Sequence, residues 1–270
     1  VTVTKDLVYA KRLQPDILGQ AEWKLDLYAP TDPGDWPAVV FLHGRGQPKE
    51  GWTTLSRAIA QQGAIMFVIE YPLVDPTAAI LDKGKGYREM ADTVACAIRF
   101  ARARALDFGM DTAPVVITGF CGGGGLASHV ALAGESVVRR WEEYAASRGG
   151  PSRQVDCEVS QGSTHVDALV GIAGPYDAFV GYDGKWGREF MQGKDPDLWK
   201  MLYGCIGENP DLKVRLLHSG TDSTVPYENS VEFETTLAEA GYDVKLIQFS
   251  GGHTAPLELT VQTVMNVAGD

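Results

Sequence analysis

The chain has 270 residues, which suits one large hydrophobic core, and its 44% hydrophobic and 22% charged residues exclude extended disorder and low-complexity architectures. Its 35 acidic against 24 basic residues give a net charge of −11, which repels a phosphate backbone and argues against nucleic acid as a partner. Apolar runs are strand-length, well short of the roughly 18 residues a membrane helix needs, so a soluble, non-spanning protein is expected.

In chain order, alternation through Val1 and Val3 and again through Trp23, Leu25 and Leu27 predicts antiparallel leading strands, followed by turn chemistry at Thr31-Asp32-Pro33-Gly34. A repeating order then begins: strand 38–42, helix 53–62 closed by Gly63, strand 64–71, helix 87–108, strand 115–118. A helix from about Gly123 leads to a charged helix over 137–147, a loop from Gly149 to Thr164 and a buried strand at 168–173. From Tyr176 to Pro210 the pattern dissolves into Gly, Asp and aromatic residues around a short helical piece at 198–203, read as a cap insertion over a site. Strand 214–217, a helix entered at Pro226 and closed by Gly241, strand 244–249 and a terminal helix over 256–267 complete the chain. The prediction is one α/β domain over 1–270: a mostly parallel, doubly wound sheet with antiparallel N-terminal strands and a cap at about 176–210. Its functional residues belong in the loops after the carboxyl ends of the strands.

Four such loops carry the candidate chemistry. Strand 115–118 runs into Gly119-Phe120-Cys121-Gly122-Gly123 and a helix, placing a thiol on a tight turn whose neighbours have no side-chain bulk. The helix start favours a thiolate and an oxyanion, particularly at the Gly122 amide. Gly122 to Ala127 also fits a loose dinucleotide fingerprint, but there is no early βαβ unit or Walker sequence to support it. His43-Gly44-Arg45-Gly46-Gln47, after strand 38–42, offers backbone amides of Gly44 or Arg45 as oxyanion donors alongside Gly122. His218-Ser219-Gly220-Thr221-Asp222 presents Asp222 as the acid, with helix capping as its structural alternative and Glu228 as the fallback acid. Ser250-Gly251-Gly252-His253 presents His253 as the base. Nucleophile, acid and base thus follow in the order Cys121, Asp222, His253, each after its own strand.

These motifs, with Gly220-Thr-Asp-Ser-Thr-Val-Pro226, resemble those of α/β-hydrolases over most of the chain. Within that superfamily they are most similar to single-domain carboxylesterases related to feruloyl esterases and prolyl-peptidase catalytic domains, whose oxyanion loops carry His-Gly-x-x. The departure is Cys121 in a place where that branch carries Ser. Dienelactone hydrolases resemble the chain in using Cys, yet they hold a Glu in the oxyanion loop, and here Glu70 ends a different strand. Whether Cys121 is native chemistry or a replaced Ser is open at this level.

The implied reaction is hydrolysis of a small carboxylic ester or lactone through an acyl-enzyme on residue 121, without metal or cofactor. The alternatives are acyl transfer or thioester hydrolysis by the same residues, and a binding protein that has lost catalysis. Tyr176, Trp186, Phe190 and Trp199 in the cap are candidate pocket residues, and equally candidates for the cap's own core. Cys96 reads as a core residue, whereas Cys157 and Cys205 lie in irregular stretches that a bridge between them would tie together. The chain starts at Val1 with no leader before it, which suggests a processed or trimmed form and leaves extracellular and cytoplasmic locations, like the oligomeric state, open.

Overall fold

The computed structural model describes residues 1–13, 22–72, 85–108, 114–147, 155–176 and 204–269. Most of the predicted cap, with Trp186, Phe190, Trp199 and the helical piece at 198–203, lies outside the described residues.

The strands are β1 (Thr2–Arg12), β2 (Glu22–Ala29), β3 (Ala38–Leu42), β4 (Ile65–Ile69), β5 (Val115–Phe120), β6 (Val155–Cys157), β7 (Ala168–Ile172), β8 (Lys213–Ser219) and β9 (Val244–Phe249). The helices are α1 (Thr53–Gln61), α2 (Lys85–Leu106), α3 (Gly122–Ala133), α4 (Val137–Ala146), α5 (Glu228–Glu239) and α6 (Leu257–Gly269). The nine strands form one sheet in the order β6-β1-β2-β4-β3-β5-β7-β8-β9. β6, β1 and β2 pair antiparallel, β2 meets β4 antiparallel, and the run from β4 to β9 is parallel.

The central strands are apolar throughout because both of their faces are covered. β3, β4 and β7 are buried at every residue, and successive side chains divide between two cores. Ala38, Val40 and Leu42 pack with Val94, Val130 and Leu237 of α2, α3 and α5. Val39 and Phe41 face the other way, into a core with Leu55 and Ile59 of α1 and Val264 and Val267 of α6. The chain moves outward from β3 to β4, then crosses back over β3 to β5, so the carboxyl ends of β3 and β5 open a crevice between the helices.

Two expectations need correction. The stretch predicted as a loop from Gly149 to Thr164 contains β6, which pairs with the end of β1 through Ala10↔Cys157 and Arg12↔Val155. That pairing lays Cys157 against α2, where it forms a disulfide with Cys96 across a Cα separation of 5.2 Å. Cys205 is therefore not its partner; it is a buried thiol 3.8 Å from His129 Nδ1, and burial pushes its pKa up to about 12.

Beside β1 and β2, Lys49 is 2% exposed and its Nζ lies 2.8 Å from Asp6, 2.8 Å from Glu50 and 3.1 Å from the fully buried Asp26. Burial alone would favour the neutral amine, but these carboxylates outweigh it and raise the Lys49 pKa. One cation thus fastens the segment after the β3 loop to β1 and β2.

Candidate active site

The carboxyl ends of β3, β5, β8 and β9 gather the four predicted loops at one rim. Gly119 pairs with Leu42, Phe120 with Ile172, and Ser219 with Phe249, so the residues after them leave the sheet at nearly the same level.

Cys121 stands at the turn from β5 into α3 with φ 52° and ψ −126°, a backbone conformation that L-residues rarely adopt. Its amide donates to Ile172 O at 2.9 Å, and its carbonyl accepts from Gly124 N at 2.8 Å, so both neighbouring strand and new helix hold the strained residue. Such a turn needs glycines: a Cβ on Gly119 would come within 2.8 Å of Gly124 N. The helix begins at Gly122 itself, one residue earlier than the periodicity suggests, and its first N–H has no helical acceptor. Cys121 is 8% exposed.

The β3 loop lies against this turn, for a Cβ on Gly44 would sit 3.2 Å from Cys121 Cβ and 2.9 Å from Phe120 Cδ1. The Gly44 N–H donates to Gln47 Oε1 at 3.1 Å and the Gln47 N–H returns to Gly44 O at 3.2 Å, closing the loop on itself. The Gly44 amide is thus engaged within its own loop. Tyr71 braces the same loop by donating its hydroxyl to His43 O, with the two rings 4.8 Å apart. Burial lowers the His43 pKa, so this imidazole is neutral packing material.

Asp222 and His253 meet directly. His253 Nδ1 lies 2.7 Å from Asp222 Oδ2, and the Asp222 side chain has no exposed surface. Asp222 Oδ1 accepts from Thr224 N at 2.7 Å and Val225 N at 3.1 Å. These bonds brace the loop itself; the capping role expected at α5 is not what they perform, because the helix starts only at Glu228. Glu228 is exposed. Burial pushes the Asp222 pKa upward, but the His253 bond and the two amides prevail and lower it, so the carboxylate stays ionised.

The loop that carries His253 is tied to the loop that carries Asp222, since Ser219 and Thr221 both donate hydroxyls to Gly251 O. The other edge of the His253 ring carries Nε2, which is buried and has no hydrogen-bond partner among the described residues. Burial lowers the His253 pKa, while the nearby Cys121 sulfur and then Asp222 raise it, and the net effect is upward. The thiol and imidazole therefore adjoin, and among the groups that raise the ring's pKa the sulfur is the first. Phe120 packs on the His253 ring at 4.8 Å and Trp52 on Phe120 at 5.2 Å, an aromatic column that walls one side.

Sequence reasoning missed three members of this rim. His218 is fully buried and touches Asp222, and its only sequence signal is the four-residue spacing to the acid. Tyr71 and Gln47 act through backbone groups, which no motif records. Tyr176, a candidate pocket residue, is 1% exposed and stacks on Phe233 with centroids 4.7 Å apart, packed inside the fold. Among the described residues no group of three His, Cys, Asp or Glu side chains is placed to hold a metal, and no helix is long and apolar enough to cross a membrane.

Structures of known proteins share this architecture. A bifunctional GH43-CE protein of Bacteroides eggerthii matches with TM-score 0.69 and 22% identity over 99% of this chain, which spans only 38% of that protein. A truncated carbohydrate esterase from gut microbiota matches with TM-score 0.68 and 19% identity, covering 100% of this chain and 97% of the other. The Est2 esterase of Thermogutta terrifontis in its propionate-bound form matches with TM-score 0.64 and 17% identity, covering 96% and 94%. At these identities the likeness speaks to the fold, and no curated protein matches the chain in sequence. The BD-FAE family model, however, matches residues 25–237, most of the sheet and three of its four rim loops, and the chain belongs to this family of esterase-like α/β-hydrolases.

Proposed function

We propose that the protein hydrolyses a small carboxylic ester or lactone through a thioester on Cys121, with His253 as base and Asp222 as its orienting acid. The observation that carries this reading is the 2.7 Å bond from His253 Nδ1 to a buried carboxylate, with the opposite ring edge left for the thiol. His253 Nε2 takes the thiol proton as Sγ forms a bond to the substrate carbonyl carbon. The resulting oxyanion is held by the backbone N–H groups of Gly122 and Arg45; the engagement of Gly44 with Gln47 favours Arg45 as the second donor. Collapse breaks the carbon–oxygen bond, and the imidazolium proton goes to the leaving alkoxide. A water, deprotonated by His253, then attacks the thioester, releasing the acid and restoring the thiol.

Incubation with a short p-nitrophenyl ester followed by mass spectrometry tests this reading. The expected result is an acyl adduct on Cys121 that decays with turnover; turnover with no adduct on Cys121 and no effect of Cys121→Ala refutes it.

The disulfide between Cys96 and Cys157 supports an oxidising, extracytoplasmic setting for this activity.

A further inference from the structure

Asp222 Oδ2 serves two imidazoles. Besides His253, the Nε2 of His218 lies 3.1 Å from it, and the same Nε2 is 3.0 Å from Val225 O. Both of these neighbours are acceptors, so Nε2 must carry the proton. His218 Nδ1 lies 2.6 Å from Ser230 Oγ on α5, which makes the serine hydroxyl the donor and Nδ1 the acceptor. The ring is fully buried, and burial holds its pKa below the ordinary imidazole value, so it is neutral with a single defined tautomer. Asp222 then receives four donors: two amides on Oδ1 and two imidazole N–H groups on Oδ2.

We propose that His218 is a positioning residue of this site, a neutral second imidazole that shares Asp222 Oδ2 with His253, fixes the carboxylate and moderates how firmly it holds the His253 proton. A donor on Oδ2 withdraws negative charge from the oxygen that His253 faces. Ser230, by donating to Nδ1, polarises the ring and strengthens its Nε2–H as a donor. Among the described residues, the other titratable groups around the pair are Cys121, facing His253, and Tyr227, whose ring meets His218 edge-on at 5.7 Å. Tyr71 and Tyr176 lie near Cys121, and burial keeps both hydroxyls neutral.

This inference rests on the triad reading, so its experiment separates the two. The acid limb of kcat/KM against pH is measured for wild type, His218→Leu, His218→Gln and Ser230→Ala with a p-nitrophenyl ester, together with an NMR titration of the His253 ring, which needs no turnover. Gln retains an N–H donor at the Nε2 position. Leu is expected to move the acid limb and the His253 titration up by about 0.5–1 pH unit. Gln should restore both, and Ser230→Ala, which leaves the buried imidazole in place if His218→Leu fails to fold, should shift them upward by less. An unchanged His253 titration in Ser230→Ala and in whichever His218 variant folds, or a shift with Gln as large as with Leu, overturns the proposal. If Cys121→Ala keeps full turnover, the nucleophile reading fails, and the NMR titration alone still decides the role of His218.

Discussion

Gly123, two residues after Cys121, lies flat against the carbonyl of His43: a Cβ on Gly123 would stand 2.5 Å from that oxygen and 2.5 Å from Leu42 O. The Leu42 carbonyl belongs to β3, which is held in register on both sides, and the His43 carbonyl next to it accepts the Tyr71 hydroxyl. Gly123→Ala should therefore cost about 1–3 kcal/mol or more and lower kcat by displacing the oxyanion loop from Cys121. Thermal unfolding with kinetics of the surviving folded fraction checks this.

The cluster beside β1 and β2 sets the buried Lys49 ammonium against several carboxylates. Lys49→Met would leave Asp26, which has no exposed surface, without its countercharge. Breaking a buried pair from one side costs about 3–5 kcal/mol, and the expected result is a loss of that size in denaturant unfolding. Lys49→Arg should retain much of the stability.

The pH dependence follows from the directions of two shifts. The His253 pKa is raised, so the acid limb of kcat/KM should lie above the ordinary imidazole value of about 6.5. Asp222→Asn should lower that limb and reduce the rate by roughly 10²–10⁴. For stability, the raised His253 value contributes fully below its unfolded-state pKa and fades as pH rises through the folded one. The lowered Asp222 value acts oppositely, contributing above the unfolded carboxyl value and fading as pH falls through the folded one. The stability gap between wild type and Asp222→Asn should therefore be widest between the carboxyl and imidazole ranges and narrow on either side.

The disulfide closes a loop between residues separated by 61 positions at the β6 edge of the sheet, several strands away from Cys121. Cys157→Ser should lower stability by about 2–4 kcal/mol while leaving kcat/KM at 25 °C nearly unchanged. Unfolding curves with and without reductant test the first part, since reductant should bring wild type to the variant's midpoint.

What could be read from the amino-acid order depended on how local the physics was. The turn at Cys121 is written in adjacent glycines, and the buried strands in unbroken apolar runs, so both were legible. β6 was not, because three residues carry no periodicity and their partner β1 lies far away in sequence. The disulfide follows from that same distant pairing, which is why Cys157 invited the wrong partner. His218 ended an apolar strand like any other residue, and only the fold of the loop after it turns Asp222 back onto its ring. The engagement of the Gly44 amide by Gln47 likewise depends on loop geometry that composition does not encode.

The proposed roles of Cys121 and His253 are tested by comparing wild type, Cys121→Ala, Cys121→Ser and His253→Ala in steady-state hydrolysis of a short p-nitrophenyl ester. Both alanine variants should lose activity by about 10³-fold or more, with activity retained or increased when Ser supplies the nucleophile. Wild-type turnover by a correctly folded Cys121→Ala or His253→Ala protein would contradict those roles.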